Sequence, residues 1–291
     1  MNISLLKQKI YGWKGCSADV YANFYFQYGG SVCVHPRVLA YLKSTLGIDI
    51  HYYYKNNAAF CTFNHSLLYK NSKIPFVFDD LLFPASPESK LLLPFKTKRL
   101  SPFSRYRYRN AIYSDALKHK IAYVKETFSK TTVRKRNGDV RKIQQAGGEF
   151  RRAGQFSAAN LSQIYCHLFD LRWQGKIRCF DRDLLEDVLR ELSDLVFGNV
   201  LLMKNTPCAF DLIFKADSSA WIYFDDINGG VDPQFMHLGA GTALLWKNIL
   251  DARMVGTMAH QQTIFSLGAY LKGWEYKKQW CDISASGRVI L

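Results

Sequence analysis

The stretch His237–Trp246, HLGAGTALLW, decides how the chain is read. Gly239 and Gly241 stand just ahead of an apolar run, and Leu238, Leu245 and Ile249 fall on one side of a helix predicted to reach about Ala252. A glycine turn that opens a helix presents backbone N–H groups at the positive end of the helix dipole, where a phosphate can lie. A tight turn starting a core helix has the same spelling.

The residues upstream favour the first reading. NVLLMK (199–204), PCAFDLIFK (207–215) and AWIYFDDI (220–227) are β-rich runs joined by the short turns NT and ADSS, which predicts an antiparallel meander. Before the meander, Ser157 is placed to cap a helix carrying Leu161, Ile164, Tyr165 and Leu168. From Asp181 a further helix carries Leu185, Val188, Leu189, Leu192 and Val196, with Gly198 as its stop. After the glycine turn come extended and turn segments ending in YKKQWCDI. The order is therefore helices, three strands, glycine turn, helix and closing strands.

The amino-terminal part reads as a small α/β lobe. Ser17 is placed to cap a helix with Val20, Tyr21 and Phe24 that ends at YGG, and Pro36 to open one that stops at Gly47. IDIHYYY (48–54), AAFCTF (58–63) and IPFVFDDLLFP (74–84) are strand-like. The expected division is residues 1–100 as a first lobe, 101–156 as a basic connector and 157–291 as a second domain.

Net charge is +15, and the connector holds most of it: residues 96–152 carry seventeen lysines and arginines against four acids. The partner of that segment is expected to be anionic, either RNA or the anionic lipid of the inner membrane. In RYRYR, an extended backbone would set Arg105, Arg107 and Arg109 on one face and Tyr106 and Tyr108 on the other; the alternative is a solvated connector with its tyrosines packed on a core. TTVRKRNGDVRKIQQ (131–145) holds Arg134 and Arg136 and reads as a hairpin turning at Asn137-Gly138. Ser114 is placed to cap a helix with Leu117, Ile121, Val124 and Phe128. The five arginines named here are the candidate anion-binding residues.

No run of about 18 apolar residues could span a bilayer, and the first fifteen residues lack a signal-peptide core, so a cytoplasmic protein is expected, peripheral on the inner face of the inner membrane. The seven cysteines are scattered without a C-x-x-C pair, which predicts reduced thiols and no metal site.

The meander CAFDLIFKADSSAWIYFDD (208–226), the turn and helix LGAGTALLWKNILDA (238–252) and the closing FSLGAYLKGWEYKKQW (265–280) together resemble the Gcn5-related N-acetyltransferase (GNAT) fold, and more narrowly the Fem-type peptidyltransferases. The resemblance implies an α+β protein with two GNAT-like lobes, the first degenerate. The opening YGGSVCVHPRVLAYL (28–42) is similar to the bacterial macrophage-inducible Mig family, implicated in resistance to antimicrobial peptides.

By that resemblance Leu238, Gly239, Ala240, Gly241 and Thr242 form the donor turn, and an acyl-CoA, an acyl carrier protein or an aminoacyl-tRNA is the donor, with no tightly bound cofactor. Where such proteins usually place Gln or Arg ahead of the turn, this chain has Met236, which favours the carrier-protein and tRNA donors. Lys277 would stabilise the carbonyl oxygen during transfer, and Tyr276 would pack or give a proton. Asp225 and Asp226 are candidates to orient or deprotonate an acceptor amine, or else a turn-forming pair before INGG; His260 and His237 are candidate bases, or structural histidines. The function implied is N-acyl or aminoacyl transfer to an amine at the membrane face. A GNAT-fold protein that only binds nucleic acid or lipid is the alternative.

Overall fold

The computed structural model describes residues 3–291. Its α1 (Ile3–Ile10) and β1 (Lys14–Cys16) lead into the first lobe, where helices α2 (Ala18–Tyr28) and α3 (Pro36–Leu46) pack on a sheet of β1, β2 (Ile50–Lys55) and β3 (Ala58–Phe63). The caps read from sequence are in place: the Ser17 hydroxyl accepts from Val20 N–H, Pro36 opens α3, and Gly29 and Gly47 close the two helices with positive φ. IPFVFDDLLFP forms no strand. It crosses the lobe as irregular chain with a single bridge from Leu81 to Leu100, and with Leu81, Leu82 and Phe83 fully buried its apolar content reflects burial more than pairing.

The chain then lays down β4 (Thr97–Leu100), β5 (Ala111–Ile112) and β6 (Lys120–Val124), followed by α4 (Lys130–Gln145), β7 (Gly148–Arg152), α5 (Ala158–Trp173) and α6 (Arg182–Glu191). The second lobe continues with β8 (Val196–Phe197), β9 (Asn199–Met203), β10 (Thr206–Asp217), β11 (Ile222–Val231), α7 (Ala240–Ala259), β12 (Thr263–Ala269), a single-turn helix α8 (Lys277–Trp280), β13 (Cys281–Ala285) and β14 (Gly287–Val289). Among the described residues the central sheet has eight strands in the order β13-β6-β12-β11-β10-β9-β7, with β8 paired to β10. The meander β9-β10-β11 is antiparallel as expected, whereas β11 and β12 run parallel, with α7 as their crossover. β14 leaves this sheet to pair with β4 and β5.

Four further expectations are corrected. Thr131–Gln145 is no hairpin: α4 runs through Asn137-Gly138, capped by the Ser129 hydroxyl on Thr132 N–H. Val133, Val140 and Ile143 give it an apolar stripe that packs along α7, and the Asn137 side chain accepts from the indole of Trp246 at 2.8 Å. Tertiary packing outweighs the local turn preference of Asn-Gly.

The helix expected from Ser114 is a turn followed by β6, since Ser114 accepts only from the amides just after it. β6 lies between β12 and β13 with Ile121, Ala122 and Tyr123 all buried. A strand covered on both faces shows an apolar run instead of alternation, and that is easily mistaken for a helix. The helix from Asp181 ends at Glu191, seven residues before Gly198.

The RYRYR segment is a turn and not an extended strand. Arg107 N–H bonds back to Ser104 C=O and Tyr106 sits at φ +75°, so Arg107 and Tyr108 go inside while Arg105, Tyr106 and Arg109 stay out.

Candidate active site

The site begins with a disagreement between two strands. β11 and β12 pair in parallel from Ile222/Thr263 to Asp225/Ser266; beyond that, β12 pairs with β6 while β11 pairs only with β10, so the two part. At the same point a β-bulge places Ile227 as an extra residue in β11, between the pairs Ile213/Asp226 and Leu212/Asn228. Asp225 and Asp226 therefore sit within the strand, at the mouth of a wedge, and are not its terminal turn. The glycines that follow also serve the strand. A Cβ on Gly230 would lie 2.4 Å from the Leu168 backbone of α5, and one on Gly229 would lie 2.2 Å from the Asp211 carboxylate.

Strand alternation sends the two acids to opposite faces. Tyr223 packs in the core shared with the first lobe and Phe224 in the core under α7, so Asp225 faces the first lobe and Asp226 faces the α7 side with Asp211 of β10. Burial raises Asp211 to about 6, with Arg172 of α5 and the Asn248 amide opposing the shift. Asp226 is pushed well above the carboxylate range by burial and by Asp211, against the pull of Lys277 and Arg172. Burial, with Asp80 and Asp79 behind it, takes Asp225 to about 8. Asp226 is thus made to hold its proton more tightly than Asp211, an ordering that suits an acid and base pair.

Lys277 does not lie on an exposed strand. It opens α8, is 4% exposed, and its ammonium donates to the carbonyls of Leu267 (2.5 Å) and Ala269 (2.8 Å) across the bend of β12 at Gly268, where φ is +70°. It also stands 4.4 Å from the centre of the Trp274 ring. Burial lowers its affinity for a proton and the nearby Asp226 restores part of it. Tyr276 precedes it; burial raises its phenol, partly offset by Arg172. Arg172 in turn donates to the Gly229 carbonyl at 2.7 Å. Asp226, Lys277, Tyr276 and Arg172 thus converge on the mouth of the wedge, with Asp211 behind them.

The stretch that opened the sequence reading lies on the α7 side. Asp232 caps a 3₁₀ segment (Pro233–Leu238), Gly239 takes a left-handed turn at φ +76°, and α7 starts at Ala240. The first helical bond runs from Ala243 N–H to Gly239 C=O, which leaves the amides of Ala240, Gly241 and Thr242 ahead of the ladder at the positive dipole end. Leu238 packs with the core beneath α7, while Met236 is 64% exposed. A Cβ on Gly241 would press against Val231 at 3.0 Å; Gly239 has open space around it.

Sequence reasoning missed the anchor of this helix. Buried Asn248 accepts from Asn199 N–H and its side-chain amide (both 3.0 Å) and donates to Asp211 at 3.2 Å; Asn199 also donates to Asp251 at 2.8 Å. These bonds fix α7 on β9 and β10 next to the carboxyl pair. The only sequence signal is polar residues on a helix face that is otherwise apolar.

Other candidates lie apart. His260 caps the far end of α7, about 30 Å along a helix of this length from Gly239, in an open cavity of about 720 Å³ with Lys125, Arg253 and Gln262. His237 is exposed just ahead of the turn. The five arginines do not form one surface. Arg107 is 6% exposed and lies over the Trp221 ring, and Arg136 stacks on Trp280 at 4.4 Å and pairs with Asp139. Arg105 and Arg109 are exposed around a cavity of about 390 Å³ with Lys90, Tyr106 and Tyr113, and Arg134 is exposed on α4. The cysteines are free thiols.

An antiparallel meander, a parallel strand pair parting over a helix start, and a second α/β lobe define a GNAT-like α+β fold of the Fem type. The FemX crystal structure superposes with a TM-score of 0.62 over 96% of this chain and 97% of that one, at 9% identity. A tandem GNAT protein from the clavulanic acid biosynthesis pathway (0.45, 8% identity, 95% and 96% coverage) and a GCN5-related N-acetyltransferase-like protein from Streptococcus suis (0.37, 14%, 87% and 98%) are further matches. No protein of curated function matches. The Mig-14 family matches residues 35–289, and the chain belongs to it.

Proposed function

We propose that the protein is an N-acyltransferase or aminoacyltransferase. The observation that carries this reading is the placement, on the α7 face of the parting strands, of a helix start with free amides and the carboxyls of Asp211 and Asp226. The amides of Ala240, Gly241 and Thr242 would hold the phosphates of an acyl-CoA, an acyl carrier protein or an aminoacyl-tRNA. The acceptor amine would lose its proton to Asp211, the carboxyl that gives up its own proton more readily, and attack the donor carbonyl. The C–N bond forms, the C–S or C–O bond breaks, and the leaving sulfur or oxygen takes a proton back from the carboxyl pair. Lys277, which holds the bend of β12, would add positive potential where the oxyanion develops. His260 has no part in this chemistry.

The test is donor-dependent transfer of a labelled acyl or aminoacyl group, screened over the three donor classes with amine acceptors. Asp226→Asn should lower turnover on the order of a hundredfold while leaving donor affinity unchanged, and Lys277→Met should act in the same direction. Wild-type turnover in Asp226→Asn, or no transfer from any donor that demonstrably binds, would leave a binding protein with a transferase fold.

The same reading places the protein on the inner face of the inner membrane, where modification of a lipid, peptide or sugar amine would contribute to antimicrobial-peptide resistance. Supporting it, one exposed face of α4 carries Lys130, Arg134, Lys135, Arg141 and Lys142 without an acid among them. Among the described residues no helix is long and apolar enough to cross a membrane. Binding to vesicles containing anionic lipid should fall steeply with salt and be lost when those five residues become serine. Salt-sensitive binding to RNA but not to vesicles would reassign the face to nucleic acid.

A further inference from the structure

On the first lobe, away from the wedge, three potential metal ligands come together that no part of the proposed function uses. Asp49 precedes β2, His51 lies within it, and His65 sits in the turn after β3. One ligand atom from each residue lies within 4.8 Å of the others. The His51 Nε2 is 2.8 Å from Asp49 Oδ2, and the two imidazoles stack at 5.1 Å with 17° between their planes. Two atoms sharing a tetrahedral shell of radius about 2.0 Å are about 3.3 Å apart, so small side-chain rotations close the set.

The backbone holds these residues in place. Asn64 N–H donates to Asp49 C=O at 2.8 Å and Asp49 N–H donates to the Asn64 side chain at 3.1 Å, clamping the two segments. Asn64 and His65 are consecutive non-glycine residues with positive φ, +47° and +62°. Phe63 and Ser66 exchange both backbone hydrogen bonds around this pair (2.7 and 2.9 Å), and the turn they close holds the exposed His65 ring against that of His51.

We propose that Asp49, His51 and His65 form a binding site for a divalent late transition metal, with Zn2+ as the natural probe. Two imidazoles and one carboxylate suit such ions over Mg2+ or Ca2+, and water completes the shell. His51 moves its remaining proton to Nδ1, so that Nε2 and Asp49 both face the metal. Protons compete with the metal for the imidazole nitrogens, so binding weakens in acid. The spacing, Asp-x-His followed by a histidine fourteen residues on, is legible only once β2 and β3 are paired.

The experiment is calorimetric titration of the reduced full-length chain with Zn2+ at pH 7.5 and 5.5, alongside Co2+ absorption spectra. Expected are one site at pH 7.5, loss of affinity by at least about tenfold at pH 5.5, and a Co2+ spectrum of nitrogen and oxygen ligands without thiolate charge transfer. His65→Asn keeps a residue that accepts the left-handed turn, and His51→Thr suits a strand; each should weaken Zn2+ by at least tenfold and the pair should abolish the site. Unchanged affinity or stoichiometry in the double variant, a thiolate band with Co2+, or binding weaker than millimolar at pH 7.5 would overturn the assignment.

Discussion

At Asp225 a single residue reports on the whole polar interior. Its carboxyl is raised to about 8, first by burial and then by Asp80 and Asp79 across the lobe boundary. A carboxyl whose folded affinity for protons exceeds its unfolded one contributes stability that is complete below about pH 4 and lost as the pH rises through its folded value. Between pH 4 and 8 this group therefore makes the folded state less stable as pH rises. His35, buried and lowered to about 4, acts in the opposite sense, contributing stability above about 6.5 that is lost on acidification. Comparing wild type with Asp225→Asn cancels the histidine. The variant should gain in melting temperature relative to wild type as pH goes from 5 to 8.5, and a constant difference across that range would contradict the protonation assigned here. At this scale the candidate site is half legible in the sequence. Asp226, Lys277 and Tyr276 were named from sequence, but Asp211 and Arg172 come from other elements and no local pattern points to them.

The elements show where local signals hold and where packing overrules them. Caps and stops read correctly at Ser17, Pro36, Gly47, Ser157 and Asp181, because each satisfies orphan amides or a positive φ within a few residues. The β9-β10-β11 meander was legible for the same reason, its turns being short. Two of the failures, α4 and β6, are elements whose surroundings decide them. α4 is mostly polar and exists because Val133, Val140 and Ile143 meet α7, a spacing visible in the sequence but outvoted by Asn137-Gly138. Gly138 is helical and a Cβ there meets nothing within 4 Å. Gly138→Ala should accordingly stabilise the protein by about 0.5–1 kcal/mol, through helix propensity and a less flexible unfolded chain, measurable as a higher urea midpoint at constant slope. A hairpin glycine with positive φ would give the opposite sign.

The two lobes behave as one molecule because polar residues of each are buried against the other. Asp80, in the irregular segment of the first lobe, accepts from Tyr123 of β6 and Tyr223 of β11 at 2.6 Å each, and the Ser101 hydroxyl lies 3.3 Å from the Tyr123 phenol. Alongside it, Asp79 pairs with Arg99 and stands 3.5 Å from His119, and β14 closes the chain against β4 and β5. Sequence could assign lobes but not this seam, since a buried carboxyl bonded to phenols more than forty residues away has no spacing to read. Burial raises Asp80 even against its two phenol donors, so removing a donor leaves a costly group less satisfied. Tyr123→Phe and Tyr223→Phe should each lower stability by about 1–3 kcal/mol. The two phenols share one carboxylate oxygen, so the double variant should depart from the sum of the singles by at least about 0.5 kcal/mol. Adding Asp80→Leu to the double variant should recover part of the loss, because the buried acid stripped of both phenol donors is then gone. Strict additivity of the two tyrosines, or no recovery with Asp80→Leu, would mean that shape and not the shared acid holds the lobes together. In that case Asp225, which owes part of its shift to Asp80, should titrate unchanged in both tyrosine variants.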